Sequence, residues 1–255
     1  MPRRIRLSLQ YDGSAYNGWQ IQPSGTTIQG ILEECLRKIT NEKVAVVGAG
    51  RTDAGVHAVE QVAVLDTDST MDAGVIKRAL NALLPHDIKV MEAVEAAGDF
   101  HPRYNAVSKR YFYVIANVRD VPVFVRKYVW QITAELDSEA MGTGALHLLG
   151  THDFSSFRGS GCGAKKPVRT VRLIEIETLH EVELFARFHG DFIKIIIEAD
   201  GFLRHMVRNI VGTLVEVGRG RIGQEMIRDI LESKDRRAAG PTAPPQGLFL
   251  ERVIY

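Results

Sequence analysis

The order of extended and helical patterns along the chain limits its fold more than any other feature. The segment Arg4–Tyr11 carries an apolar residue at every second position, which is typical of a half-buried strand. The next segment, Ile28–Ile39, has apolar residues at intervals of three and four, as in an amphipathic helix. Later strands follow one another directly, so the order predicts an α+β fold rather than a doubly wound parallel sheet. Two split-βαβ units that share a sheet fit this order.

Two helices are predicted to begin at particular residues. Thr26 and Gln29 have the spacing of a capping box, which places the start of the first helix there. Further along the chain, Gly201 is predicted to open a helix that runs to about Val217, because apolar residues recur at intervals of four.

The chain of 255 residues is long enough for one large domain or two modest ones. The apolar pattern breaks near Gly98–His101. We therefore predict an N-terminal half at residues 1–100 and a C-terminal half at residues 101–255.

Composition excludes several classes of protein. Hydrophobic residues make up 45% of the chain and charged residues 25%, which is ordinary for a globular protein. The two cysteines, Cys35 and Cys162, are too few and too far apart for a disulfide framework or a cysteine zinc site. No apolar leader or membrane-length apolar segment is visible, so we expect a cytoplasmic protein.

Positive charge is local, since the net charge is only +1. The segments His101–Arg119 and Phe154–Ile174 contain no acidic residue, and the first of them also holds three tyrosines. Basic residues interleaved with aromatic ones suit a nucleic acid, although a solvated basic strand edge would look the same. The candidate RNA-binding residues are Lys109, Arg110, Lys165, Lys166 and Arg169.

A glycine-flanked loop, Gly48–Ala58, is the most unusual stretch. It is not a dinucleotide-binding fingerprint, because Asp53 stands three positions after Gly50 where a glycine is required, and it lacks the Lys-Ser/Thr of a P-loop. Asp53 is either a turn or capping residue partnered by Arg51, or a carboxylate nucleophile or general base. His57 is either a base or a structural histidine.

Seven motifs follow one another along the chain: Tyr11–Gln20, Gly50–His57, Asn81–Pro85, Phe100–Tyr104, Lys109–Tyr113, His152–Phe157 and His205–Asn209. In this order they resemble the TruA family of tRNA pseudouridine synthases. The Gly-Arg-Thr-Asp-Ala-Gly-Val-His run is the most specific of them, and the likeness spans nearly the whole chain.

The resemblance implies a pseudouridine synthase fold, with two similar ferredoxin-like halves around a mixed sheet and a cleft between them. It implies that uridine is isomerised to pseudouridine at positions 38, 39 and 40 of the tRNA anticodon stem-loop. It also implies that no cofactor or metal is used, that the partner is tRNA, and that the enzyme is a homodimer with no membrane attachment.

The resemblance also implies roles for four residues. Asp53 matches the catalytic aspartate, which attacks either uracil C6 or ribose C1′. Tyr111 matches a tyrosine that stacks on the target base, and Arg51 and Arg208 match arginines, one or both of which pair with Asp53. Two rival functions remain open from the residues, a non-catalytic tRNA-binding protein or RNA chaperone on the same fold, and a small-molecule enzyme.

Overall fold

A computed structural model of the chain describes residues 2–255. Its strands are β1 (Arg3–Tyr11), β2 (Val46–Gly48), β3 (His57–Thr67), β4 (Ile88–Ala96), β5 (Ser108–Ala116), β6 (Trp130–Gln131), β7 (Gly150–Asp153), β8 (Val168–Glu183), β9 (Arg187–Ala199) and β10 (Leu248–Ile254). Its α-helices are α1 (Ile28–Thr40), α2 (Ala73–Leu83), α3 (Ser138–Leu146), α4 (Met206–Gly218) and α5 (Met226–Ser233). The predicted α+β class is confirmed. Among the described residues, no helix has the length and apolarity needed to cross a membrane.

The first of two compact units comprises Met1–Val107 and Phe249–Tyr255. Its sheet has the strand order β4-β1-β3-β10, and β2 also pairs with β3. The strand β1 is antiparallel to both of its neighbours, whereas β10 runs parallel to β3. Ile5, Leu7 and Leu9 are fully buried, so the alternation in the sequence marks the core side of β1.

The helix α1 begins one residue later than its capping pattern predicted. Thr27 is the N-cap, and its hydroxyl oxygen accepts a hydrogen bond from the N–H of Gly30 at 3.3 Å. The prediction from Thr26 was wrong because the third helical residue is Gly30 and not Gln29. The side chain of Gln29 instead accepts a hydrogen bond from the N–H of Ile21.

The second unit is Ser108–Leu248. Its sheet has the order β5-β9-β8-β7 with antiparallel pairing throughout, and β6 pairs in parallel with β5. The helix α4 is buried along almost its whole length. It was predicted to open at Gly201, but it begins at Met206 because His205 has a φ of 61° and is not helical.

The two units differ in their bounds from the halves predicted at 1–100 and 101–255. Residues 101–107 and the strand residues Phe249–Tyr255 group with the first unit. A break in the apolar pattern marks where a segment ends, but it does not reveal that a much later strand pairs with β3.

Candidate active site

The loop between β2 and β3, residues 49–56, carries both members of the predicted Arg–Asp pair. Its first residues are held against β3. The N–H of Ala49 donates to the carbonyl oxygen of Val62 at 2.7 Å, and Nε2 of the buried Gln61 donates to the carbonyl oxygen of Gly50 at 2.9 Å. These bonds fix the direction in which the chain leaves β2.

A second loop, residues 12–20, holds the middle of the first loop. The N–H of Trp19 donates to the carbonyl oxygen of Thr52 at 3.0 Å, and the N–H of Gly55 donates to the carbonyl oxygen of Tyr16 at 3.3 Å. Backbone bonds therefore fix the loop on both sides of Asp53.

Two glycines allow this close approach of two backbones. Gly18 has a φ of 84°, and a Cβ atom there would lie 2.5 Å from the carbonyl oxygen of Thr52. A Cβ atom on Gly13 would lie 2.0 Å from the carbonyl oxygen of Val56. Both distances are far below van der Waals contact, so both positions require glycine.

Buried hydroxyl groups add a side-chain link under the loop. The hydroxyl groups of Tyr11 and Thr52 lie 2.8 Å apart, and both residues are buried. Burial raises the pKa of Tyr11 to about 12, although hydrogen bonds from Thr52 and Gln61 oppose the shift. Tyr11 therefore keeps its proton at neutral pH and remains a hydrogen-bonding partner of Thr52.

His57 anchors the end of the loop. Its side chain is only 2% exposed, its Nδ1 accepts a hydrogen bond from the N–H of Gly13 at 3.1 Å, and Oδ1 of Asp12 lies 3.0 Å from the same nitrogen. Its ring stacks on Phe249 with the centroids 4.6 Å apart. These contacts favour the structural interpretation of His57 over its use as a base.

Asp53 and Arg51 differ in exposure. Asp53 is half-buried, and its carbonyl oxygen accepts a hydrogen bond from the N–H of Val56 at 3.1 Å. Arg51 is exposed and, among the described residues, its guanidinium group forms no ion pair. Arg51 therefore does not hold Asp53 through an ion pair.

In the second unit, β5 carries the tyrosine of the fifth motif. Tyr111 is buried, and its ring meets that of Phe202 edge-on at a centroid distance of 5.1 Å. Tyr113 is fully buried and its hydroxyl donates to the carbonyl oxygen of Pro244 at 2.8 Å. Burial raises the pKa of Tyr113, and the nearby positive charge of Arg208 opposes this only in part.

Arg208 lies on the first turns of α4 and is half-buried. Its Nε donates to the carbonyl oxygen of Ala243 at 2.7 Å. The next residue, the fully buried Asn209, donates from Nδ2 to the carbonyl oxygen of Phe157 at 2.8 Å and accepts from the Thr242 hydroxyl at 2.7 Å. These bonds fix the orientation of α4 against two neighbouring segments of the same unit.

The family model described as tRNA pseudouridine synthase matches residues 8–105 and 145–255. This chain belongs to the tRNA pseudouridine synthase family. The predicted resemblance is confirmed, and with it the pseudouridine synthase fold. Arg51, Asp53 and Arg208 lie within the matched segments, whereas Tyr111 lies outside them.

Three curated relatives align with nearly all of this chain. The tRNA pseudouridine synthase A of Myxococcus xanthus is 46% identical, with 100% of this chain and 92% of the relative covered. That of Thermoanaerobacter sp. (strain X514) is 45% identical, with 99% and 100% covered. The tRNA pseudouridine synthase A 2 of Clostridium perfringens is also 45% identical, with the same coverage.

The five basic residues predicted to bind RNA differ in their exposure. Lys109 is only 8% exposed, and Arg110 donates from Nε and Nη2 to one carboxylate oxygen of Glu198 at 2.8 and 2.7 Å. By contrast, Lys165 and Lys166 are exposed and form no ion pair among the described residues. Arg169 is half-buried, and its Nη1 donates to two backbone carbonyl oxygens of its own segment. Exposure therefore favours the two lysines as phosphate contacts.

Sequence reasoning missed the residues that support the site. The Tyr11–Thr52 hydroxyl pair and the buried Asn209 were not identified as structural groups, and neither was the close approach at Gly18. Each of them lies inside a motif that was recognised, so the available signal was the motif itself.

Proposed function

We propose that this synthase converts uridine to pseudouridine at positions 38, 39 and 40 of the tRNA anticodon stem-loop, with Asp53 as its nucleophile and without a cofactor. Family membership gives the reaction class, since the chain is an isomerase that makes pseudouridine in tRNA. The observation that carries the assignment of Asp53 is its place on a loop whose backbone is hydrogen-bonded on both sides of it. A backbone held in this way keeps Asp53 at one place on the loop, which supports its assignment as the nucleophile.

The reaction leaves the elemental composition of the nucleotide unchanged. The N1–C1′ bond breaks, the uracil turns, and a C5–C1′ bond forms, while C5 loses a proton and N1 gains one. No oxidant or reductant is needed. Asp53 can assist by adding to uracil C6 or to ribose C1′, and the proposal covers both routes.

Arg51, Tyr111 and Arg208 are proposed as the other residues of the reaction. The family resemblance assigns stacking on the target base to Tyr111, and it assigns an ion pair with the catalytic carboxylate to one or both of the arginines. The exposed guanidinium group of Arg51 is also available to contact the RNA.

The proposal includes tRNA as the macromolecular partner, a homodimer as the active form, and the cytoplasm as the compartment where the substrate is modified. An apolar patch on the second unit supports the homodimer. It consists of the exposed residues Val123, Phe124, Leu184 and Phe185. Sedimentation of wild type and of Phe185→Ser tests the homodimer. A wild type that sediments as a monomer at micromolar concentration contradicts the proposal.

The test of function is a map of pseudouridine, nucleotide by nucleotide, on unmodified tRNA transcripts in metal-free buffer. Asp53→Asn removes the negative charge but keeps the shape of the side chain. We expect wild type to form pseudouridine at positions 38–40 and Asp53→Asn to form none, while tRNA affinity stays within about threefold, because binding does not need the nucleophile.

Asp68→Asn is the matched control, since it makes the same chemical change at an exposed position of the same unit. It should retain full activity. If Asp53→Asn keeps its activity, the nucleophile assignment is wrong. If wild type binds tRNA but leaves every uridine unchanged, the rival interpretation as a tRNA-binding protein replaces the enzyme.

A further inference from the structure

A tightly bonded turn, residues 101–105, lies between β4 and β5 in the first unit. Nδ1 of His101 accepts hydrogen bonds from the N–H groups of Arg103 and Tyr104, at 3.1 and 3.3 Å. The side chain of Asn105 accepts from the N–H of His101, and the N–H of Asn105 donates back to the carbonyl oxygen of His101. The turn is therefore closed by four hydrogen bonds among its own residues.

The turn is also fixed to other segments of the first unit. The hydroxyl of Tyr255 donates to the carbonyl oxygen of Pro102 at 2.9 Å, and the ring of Tyr255 packs on Phe100 at a centroid distance of 5.0 Å. Burial raises the pKa of Tyr255, so its hydroxyl keeps the proton that it donates. Nη1 of Arg4 donates to the carbonyl oxygen of Phe100 at 3.0 Å.

This fixed turn holds an aromatic ring in solvent. Tyr104 is 77% exposed, although its ring lies over that of His101 with the centroids 4.2 Å apart and the planes 30° apart. The guanidinium carbon of Arg103 lies 5.9 Å from the centroid of the same ring. The ring is therefore contacted by His101 and Arg103, while most of the residue's surface is in solvent.

The other aromatic residues of the basic segment 101–119 are placed differently. Tyr111 and Tyr113 are buried, and Phe112 is half-buried with Nζ of Lys194 at 5.4 Å from its centroid. Within that segment, Tyr104 is thus the aromatic residue whose ring is presented to the solvent. Arg103 beside it is exposed and forms no ion pair among the described residues.

We propose that Tyr104 and Arg103 form a stacking platform for an unpaired nucleotide of the tRNA other than the target uridine. The base stacks on the exposed ring of Tyr104, and Arg103 contacts the adjacent phosphate. Stacking suits any base because every base has a π face, so this contact adds affinity without reading sequence. The inference rests on the proposed function for the identity of its ligand, which is a single-stranded segment of tRNA.

The platform predicts a particular order of affinities among variants of Tyr104. Loss of one base–aromatic stack weakens binding by about 5- to 150-fold, so Tyr104→Ala and Tyr104→Leu should bind tRNA that much more weakly. Tyr104→Phe and Tyr104→Trp should bind within about twofold of wild type. Leucine is the matched control, because it keeps an apolar side chain but has no π face.

The experiment measures the dissociation constants of these variants for a tRNA transcript, a single-stranded uridine hexamer and a fully paired RNA duplex. The platform requires that Tyr104→Ala loses affinity for the transcript and the hexamer but not for the duplex. Because Tyr104 is exposed, the thermal midpoint of the variant should match that of wild type.

Two results overturn the inference. One is a Tyr104→Ala affinity for tRNA within twofold of wild type, and the other is an equal loss of affinity for the duplex and the hexamer. Pseudouridine formation at saturating tRNA is recorded in parallel. A wild type that forms no pseudouridine refutes the proposed function, whereas an active wild type with an unaltered Tyr104→Ala affinity refutes the platform alone.

Discussion

Replacing Gly18 by alanine should slow catalysis in the molecules that remain folded, in addition to destabilising the fold. The new methyl carbon would lie 2.5 Å from the carbonyl oxygen of Thr52, so the loop must retreat by about 1 Å to restore an ordinary contact. That carbonyl belongs to the residue before Asp53 and accepts the N–H of Trp19. A shift of about 1 Å at a reacting group costs about 100-fold in rate, and we expect this loss in kcat.

Gly25→Ala is the matched control for this substitution. Gly25 has the same φ of 84°, so alanine has the same backbone strain there, about 1–2 kcal/mol. Its methyl carbon would instead meet the end of the exposed Asn17 side chain, which can rotate away. Both variants share the backbone strain, and Gly18→Ala should lose further stability through its clash with the backbone, while only Gly18→Ala should lose activity.

The assay is the release of tritium from tRNA that carries 5-³H-uridine, because C5 loses its hydrogen during isomerisation. Initial rates are taken at saturating tRNA and at a temperature where circular dichroism shows both variants to be folded. Equal rates for Gly18→Ala and Gly25→Ala would refute the argument that Gly18 positions the Asp53 loop.

Two further predictions concern charge. Replacing both Lys165 and Lys166 by alanine should reduce the slope of log affinity for tRNA against log salt concentration by about 2. Binding titrations at several salt concentrations measure this slope. An unchanged slope would exclude the two lysines as phosphate contacts. The hydrogen bond from Arg4 lowers the pKa of Asp66, so this pair stabilises the fold above the unfolded value of about 3.9, and its contribution is lost as the pH falls through the lower folded pKa. Because the Asp66 side chain is 48% exposed, Asp66→Asn should lower the free energy of unfolding by less than about 1 kcal/mol at pH 7. Urea unfolding should show that this difference from wild type shrinks toward pH 3. A difference that grows as the pH falls would contradict the argument.

Periodicity predicted the existence of the helices better than their starts. The apolar stripe of α1 was correct, but its N-cap is Thr27 because the capping hydroxyl must reach the third helical N–H. The intervals of four after Gly201 are real, yet α4 starts at Met206 because His205 adopts a left-handed conformation. A pattern of side chains records which face is buried and does not report a backbone angle at one residue.

The candidate site could be predicted in part. The loop of Arg51 and Asp53 follows a short strand as expected, because the apolar run and the glycines after it mark the end of the strand and the start of the loop. The exposure of the basic residues could not be predicted, since Arg110 and Glu198 pair across strands that are 88 positions apart in the chain. Local charge cannot reveal a partner that tertiary structure supplies.

The pairing of β10 with β3 has a consequence for the synthesis of the protein. All of residues 108–248 lie between the two segments of the first unit, and a ribosome makes the chain in order. Until residues 249–255 emerge, His57 lacks the ring of Phe249 on which it stacks, and β3 lacks its parallel neighbour. The loop that bears Asp53 is therefore completed late in translation, after the whole second unit has been made.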